Sequence, residues 1–320
     1  MQLGDSDLRV TRICLGTMTF GSQCDEQTSH AILDAAASAG VNFIDTADVY
    51  PARGVPGSTE EIFGRWLRGR RDRVIVASKC GGQSGPDDAD GGCSRRHILR
   101  AVEGSLRRLG TDRIDLYQLH RFDPDTPVEE TIAALDELVR SGKVRYIGCS
   151  NWTAAQLADA LAVSRDEGLA RFCSVQPRYN LLHRVAEREL FPQCLGEDVG
   201  VICYNPLAGG LLTGKHRPQS EPAPGTRFSL SPVYRDLYWR DREFATLQAI
   251  ERLALEAEIT MPALAVAWTL AQAAITSAII GASRPEQLAA SMTGASTPLA
   301  AELVAELDRL SATHLDGPAI

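Results

Sequence analysis

Val74-Ile75-Val76-Ala77-Ser78, then a helix-period segment over Ser94–Leu109, then Ile114-Asp115-Leu116-Tyr117-Gln118-Leu119: the fold is read from this stretch. Two short apolar runs rich in β-forming residues flank a segment with the longer period of a helix. Strands joined through a helix pair in parallel, because a tight hairpin cannot return the chain to the same end.

The same alternation continues in both directions. Strand candidates upstream are Ile13–Leu15 and Phe43–Asp45; downstream they are Tyr146–Ser150, Phe172–Gln176, Val199–Tyr204 and Ala278–Gly281. Helix patterns lie near Gln27–Ala39, Thr59–Leu67, Val128–Ser141, Ala154–Arg165, Ala186–Leu195 and Pro262–Ala271, with a last one near Pro285–Met292. Eight strands, each with a following helix, is the count of a closed (β/α)8 TIM barrel, expected here as one domain over residues 1–320. A doubly wound open sheet would use fewer strands and begin on a glycine-rich turn. No G-x-G-x-x-G occurs in the chain, which disfavours a Rossmann nucleotide site.

Local signals agree with these boundaries. Ala39-Gly40 and Ser141-Gly142 read as helix ends followed by a glycine that can turn left-handed. Ser94 and Thr153 stand where N-caps are expected. Met1–Leu3 and Leu8–Val10 flank the turn-forming Gly4-Asp5-Ser6-Asp7, which predicts a short hairpin ahead of the barrel. Two stretches break the alternation. Gly81–Gly92 is rich in aspartate and glycine; 205–242 is rich in proline and glycine and carries Phe228, Tyr234, Tyr238 and Trp239. Long loops in compact folds are usually functional, so the aromatic stretch is expected to form a lid or substrate wall.

Composition narrows the function. With 320 residues the chain buries a core large enough to fold without disulfides or a structural metal. A net charge of -8 lacks the basic stripe of a nucleic-acid partner. No apolar run reaches the roughly 20 residues of a membrane span. Met1–Val10 lacks the basic and apolar regions of a secretory signal, so a cytoplasmic location is expected. The eight cysteines form no C-x-x-C pair, and Cys14, Cys149, Cys173 and Cys203 fall in apolar runs. They read as free structural thiols, not zinc ligands.

Active sites of this barrel gather at the C-terminal ends of the strands. Asp45 ends the second strand, Lys79 follows the third, His120 follows the fourth, and Tyr50 lies on the loop after Asp45. Singly, each has an ordinary explanation: a turn aspartate, a lysine reaching to solvent, a structural histidine, a loop tyrosine. Jointly they suit hydride transfer to a carbonyl, which needs a proton donor for the developing alkoxide and exclusion of water. A phenol has a reference pKa of about 10, and a lysine ammonium beside it is expected to pull that down. Asp45 would hold Lys79 in place, while His120 would orient the carbonyl oxygen against Tyr50.

Asp45-Thr46-Ala47-Asp48-Val49-Tyr50 is followed by Gly57-Ser58-Thr59-Glu60 and Gly64. Ile114 through His120, Gly16-Thr17-Met18-Thr19-Phe20-Gly21, Gly142 through Ser150-Asn151, and Tyr204 through Lys215 complete a set. As a set it resembles the aldo-keto reductases over essentially the whole chain. The resemblance implies a nicotinamide-dependent carbonyl reductase acting on a small-molecule carbonyl substrate, with Asp45, Tyr50, Lys79 and His120 at its catalytic positions.

It also implies a cofactor, NADPH, extended across the barrel mouth. Ser150, Asn151 and Gln176 would hold the carboxamide and Tyr204 would stack on the nicotinamide, with Gly16, Thr17 and Met18 beside Asp45 as the floor. Asn205, Pro206, Leu207, Gly209, Leu211 and Lys215 would wrap the pyrophosphate, and Arg227 joins the same implied set. Gly281, Ser283, Arg284 and Gln287 would form the adenosine end, Ser283 and Arg284 holding a 2′-phosphate at a helix N-terminus. Two departures stand out. Ala290 and Ser291 replace an acidic residue and an asparagine that grip the adenine, and the loop Tyr50–Pro56 is longer and more proline-bearing than usual. That loop is expected to reshape one side of the substrate pocket, and Trp152 is read either as another wall of it or as a packed loop aromatic. Competing readings are a catalytically idle nucleotide-sensing subunit, a Schiff-base aldolase using Lys79, and a keto-sugar reductase of deoxysugar biosynthesis.

Overall fold

A computed structural model of the chain describes residues 1–51, 54–85, 87, 91–218 and 220–317. Its strands are β1 (Ile13–Gly16), β2 (Phe43–Asp45), β3 (Ile75–Cys80), β4 (Ile114–Leu119), β5 (Val144–Ser150), β6 (Phe172–Gln176), β7 (Gly200–Tyr204) and β8 (Ile275–Gly281). Each pairs in parallel with the next, and β8 pairs back on β1 with Ile13 opposite Ala278 and Gly16 opposite Gly281. The expected (β/α)8 barrel is the observed fold.

The helices are α1 (Glu26–Ser38), α2 (Ser58–Leu67), α3 (Arg95–Leu109), α4 (Val128–Arg140), α5 (Ala154–Glu167) and α6 (Leu190–Gly196). Then come α7 (Arg227–Leu230), α8 (Pro232–Tyr238), α9 (Asp241–Glu256), α10 (Met261–Ala271), α11 (Leu288–Ser296) and α12 (Ala301–Leu310). The predicted caps form. Ser94 Oγ accepts from the His97 N–H at 3.3 Å, and Thr153 and Gln156 close a reciprocal capping box at α5. Along α3 the buried Ile98, Val102, Leu106 and Leu109 recur at helical spacing, giving one apolar stripe that faces the barrel.

The core has two parts because strand side chains alternate in and out of a barrel wall. Outward-facing Val76, Tyr117, Ile147 and Val175 pack under the helices. Inward-facing Cys14, Phe43, Ala77, Leu116, Cys173 and Ile202 fill the lumen. The N-terminal hairpin closes the lumen's lower end: Gln2 bridges Arg9 in antiparallel fashion, and Leu3, Leu8 and Val10 join the inner cluster. Gly4 is required there. Its φ is +53°, and a Cβ would lie 2.2 Å from the Cys173 carbonyl oxygen.

Several boundaries differ from the sequence reading. Lys79 lies within β3 rather than after it, β5 begins at Val144, and β8 begins at Ile275. The helix expected over Ala186–Leu195 splits into a 3-10 turn at Val185–Glu187 and α6. Pro192, which has no N–H to donate, is tolerated only in a first turn, so the helix starts at Leu190. The helix expected at Pro285–Met292 is a 3-10 turn at Pro285–Gln287 followed by α11. Helices α9 and α12 were not anticipated.

No single described helix is long and apolar enough to cross a membrane; α9 and α10 pass that test only as a pair bent by 97°. All eight cysteines are buried and free. Among the described residues no group of three or more His, Cys, Asp or Glu is placed to hold a metal.

Candidate active site

The site begins from a buried carboxylate at the end of β2. Thr17 donates to the Asp45 carbonyl through both its N–H (3.0 Å) and its hydroxyl (2.9 Å), which ties the first loop to this strand end. Lys79 points inward from β3, donating to Asp45 Oδ2 and, at 2.9 Å, to the Thr46 carbonyl. Asp45 Oδ1 accepts from Gln118 Nε2 at 3.1 Å and from Gln176 Nε2 at 2.9 Å. Donors from β3, β4 and β6 thus converge on one carboxylate. Burial works to lower the Lys79 ammonium's pKa, but the Asp45 charge and hydrogen bond outweigh it and hold the pKa above its ordinary value. Lys79 therefore stays charged although its side chain is inaccessible to solvent.

Tyr50 and His120 stand above this pair. The Lys79 ammonium lies 5.1 Å from the Tyr50 ring centre, and the Tyr50 and His120 rings meet edge-on with centres 5.6 Å apart. Burial raises the Tyr50 phenol above its ordinary pKa, and Lys79 pulls the other way without prevailing. The net lowering expected from sequence is absent. The phenol keeps its proton, with a cation behind it. Burial, then Lys79 and Arg121, push His120 down to about 3, so its imidazole is neutral. Its Nδ1 is buried and has no hydrogen-bond partner among the described residues.

A cleft of about 990 Å³ runs from these residues across the barrel mouth to the start of α11. Asn151 lies at a crossing point: its Nδ2 donates to the His120 carbonyl (2.9 Å) and Ser150 Oγ (3.1 Å), and its Oδ1 accepts from the Tyr204 hydroxyl (2.9 Å). Ser150 Oγ in turn donates to the Gln176 carbonyl at 2.8 Å. Asn151 and Asn205 both line the cleft with left-handed φ values of 58° and 66°, a conformation asparagine tolerates. Asn205 Oδ1 accepts from the Gly209 N–H at 2.6 Å, folding the loop back on itself. Gly209 and Gly210 also have positive φ, at 68° and 103°, and both line the cleft. Beyond them Lys215, Arg227 and Arg284 line it too, and none has a carboxylate partner among the described residues. A long cleft with unmatched cations along it fits an extended, phosphate-bearing cofactor.

Gly16, Thr17, Met18, Asp45, Tyr50, His120, Ser150, Asn151, Gln176, Tyr204, Asn205, Pro206, Leu207, Gly209, Lys215, Arg227, Gly281, Ser283, Arg284 and Gln287 are brought to this cleft. Two expected residues are not. Lys79 lies behind Asp45 and Tyr50, and Leu211 turns into the core with no exposed surface.

The aromatic lid is corrected in part. Phe228 and Trp239 pack edge-on with His216, and the buried Tyr238 hydroxyl accepts from Asn180 and Asn205. Of the four aromatics only Tyr234 lines the cleft, with the Arg227 guanidinium 5.1 Å from its ring centre. Trp152 is a packed loop aromatic, edge-on to Phe122 and Phe172. Ala290 lines the cleft, whereas Ser291 is buried with no partner for its Oγ among the described residues. In the Tyr50–Pro56 loop, Ala52 and Arg53 lie outside the described residues, as do Pro86, Asp88, Ala89 and Asp90 of the Gly81–Gly92 stretch. Gln118 was missed. The signal was present in β4, where Leu116 faces the lumen and alternation points Gln118 the same way.

The family model described as "Aldo/keto reductase family" matches residues 12–312. The chain belongs to that family. Relatives agree. It is 40% identical over 294 residues to the uncharacterized oxidoreductase YrpG of Bacillus subtilis, covering 89% of this chain and 87% of that one. To a probable voltage-gated potassium channel subunit beta of Oryza sativa it is 38% identical over 300 residues, covering 91% and 89%. To the versiconal hemiacetal acetate reductase of Aspergillus parasiticus it is 35% identical over 297 residues, covering 84% of each chain. This aldo/keto reductase is thus an NAD(P)H-dependent oxidoreductase of a family that acts on small carbonyl compounds.

Proposed function

We propose that the enzyme reduces an aldehyde or ketone to an alcohol with NADPH, Tyr50 giving the proton. The observation that carries this reading is the meeting of Tyr50 and neutral His120 at one end of the cleft, over the buried Lys79–Asp45 pair. The bound cofactor supplies the hydride to the carbonyl carbon. The Tyr50 hydroxyl protonates the oxygen as negative charge gathers there, and the Lys79 ammonium stabilises the phenolate that remains. Asp45 keeps that ammonium charged and in place. His120, unable to carry a charge near neutral pH, offers the oxygen a neutral N–H and so orients it against Tyr50.

Ser150, Asn151 and Gln176 would hold the carboxamide, with Tyr204 against the nicotinamide. The Asn205–Lys215 loop and Arg227 would hold the pyrophosphate. Gly281 and Gln287 would line the adenosine end, where Ser283 and Arg284 would take the 2′-phosphate, the unmatched Arg284 charge favouring NADPH over NADH.

The test is NADPH oxidation with an activated aldehyde such as a nitrobenzaldehyde. Tyr50→Phe should lower kcat by about 10²–10⁴-fold while NADPH still binds, judged by cofactor fluorescence. A variant with wild-type kcat would remove Tyr50 from the acid role. The likeness to channel subunits favours a second reading, a regulatory subunit that binds NADPH without turning over. It requires tight NADPH binding and no reduction of any aldehyde, ketone or keto sugar.

A further inference from the structure

Asp48 sits in the turn between Asp45 and Tyr50, and the proposed chemistry gives it no task. Its N–H donates to the Lys79 carbonyl at 3.1 Å, extending a ladder begun by the Thr46 N–H on the Ala77 carbonyl at 2.9 Å. The Tyr50 N–H then donates to the Ala47 carbonyl at 3.2 Å, so the turn that presents Tyr50 is laced to β3 through Asp48.

The Asp48 side chain is buried, and its Oδ1 has no hydrogen-bond partner among the described residues. The titratable and charged groups facing it are Glu60 on α2, Arg108 on α3, Lys79 and Cys80 on β3, and Tyr117 on β4. Glu60 is fully buried, accepting from Ser78 Oγ at 2.5 Å and from Arg108 Nε at 2.8 Å. Both cations near Asp48 are therefore committed: Arg108 to Glu60, and Lys79 to Asp45 and the Thr46 carbonyl. A carboxylate at position 48 would be a second buried anion beside Glu60 with no cation of its own, an arrangement that favours the neutral acid.

We infer that Asp48 is a positioning residue: its N–H ties the Tyr50 turn to β3, and its buried carboxyl leaves that turn undisturbed only while it is neutral. The inference rests on the proton-donor role proposed for Tyr50. Burial first, and Glu60 second, push this carboxyl up to about 8. Ionisation above that pH sets Asp48 against Glu60 and loosens the turn two residues from the donor.

The sign for stability follows. The folded pKa is raised above the unfolded one, so the contribution is complete below the unfolded value near 3.8 and is lost as pH rises to about 8. Asp48→Asn mimics the neutral acid at every pH. The Tm difference, variant minus wild type, should grow between about pH 5 and pH 8 and then level. A difference independent of pH would overturn the inference.

Positioning has its own readout. With tyrosine rings labelled for NMR and the Tyr50 signal assigned through Tyr50→Phe, that signal should shift as pH passes about 8 in wild type and not in Asp48→Asn. The ratio of kcat at about pH 9 to kcat at about pH 7 should be several-fold higher in the variant than in wild type. A growing Tm difference with an unmoved Tyr50 signal would make Asp48 merely structural and sink the positioning role. Should the protein reduce no carbonyl, the function proposed above fails, while the thermal and NMR readouts still decide the position of Asp48. Should Asp48→Asn not fold, the wild-type Tyr50 signal decides alone, and absence of a step near pH 8 refutes it.

Discussion

At one end of the cleft, Asp45, Lys79, Gln118, Ser150 and Gln176 sit on five different strands, all of them buried. At the other end, Ser283, Arg284 and Gln287 hang from a loop and a 3-10 turn, and the exposed Gln287 side chain accepts from the Ser283 N–H at 2.7 Å. The first end is over-determined: moving any one group disturbs donors from several strands at once. The second is an open surface, carrying both Arg284 and Glu286, whose side chains have few protein partners. On the proposed function, chemistry that requires fixed distances falls on the barrel wall, and recognition of a charged, flexible cofactor falls where side chains can adapt.

The strongest break in that contrast comes from Lys79→Met. It leaves the Asp45 carboxylate buried without a cation, which costs about 3–5 kcal/mol of stability and abolishes most turnover. A buried carboxylate stranded without its cation is relieved by protonation. The deficit should therefore shrink as pH falls and widen as pH rises, unlike that of a simple packing defect, which does not change with pH. Adding Asp45→Asn to the same variant removes the stranded charge and should restore part of the Tm without restoring kcat. Thermal melts across pH decide it: a pH-independent deficit would mean that the pair does not act electrostatically.

The over-determined end was also the legible one, for the same physical reason. Strand ends are marked by apolar runs, and the barrel gathers them at one mouth, so Asp45, Lys79 and His120 follow from topology. Gln118 follows from alternation and was overlooked because it lies inside an otherwise apolar strand. What the sequence conceals is the facing of side chains on irregular backbone. The aromatic stretch suggested a lid, yet Phe228 and Trp239 pack inward and only Tyr234 faces the cleft; Leu211, on a left-handed glycine turn, points to the core. Helix α9 escaped for want of a start signal. Phe244, Leu247, Ile250 and Ala254 carry the helical spacing, but Arg240 at its N-cap provides no side-chain cap. Helix α12 has Ala300 at its N-cap, likewise without a side-chain cap. The net rise of the Tyr50 pKa is likewise invisible in sequence, since it depends on how deeply the phenol is buried.

At the adaptable end the expected effects are smaller and fall on binding. Arg284→Ala should raise the KM for NADPH about tenfold, leaving kcat and the KM for NADH nearly unchanged. Because Arg284 is exposed, the NADPH advantage of wild type should also fade as salt is raised. Equal losses for both cofactors would place Arg284 away from the 2′-phosphate.

The smallest effect is the sharpest test of how much the open end can be rebuilt. Of its two departures from the family pattern, Ala290 faces the cleft, whereas Ser291 is buried with an unpartnered hydroxyl. They should behave differently although adjacent. Ala290→Glu places an acceptor on the cleft wall without disturbing the core and should tighten the NADPH Kd about threefold, roughly the value of one exposed hydrogen bond. Ser291→Ala removes a hydroxyl with no partner among the described residues, so stability should stay within about 0.5 kcal/mol and the Kd should not move. Fluorescence titration and thermal melts of the two variants separate the cases. A Kd shift in Ser291→Ala would show that its hydroxyl turns to the cofactor on binding, and the far end would then be more pliable than its unbound geometry indicates.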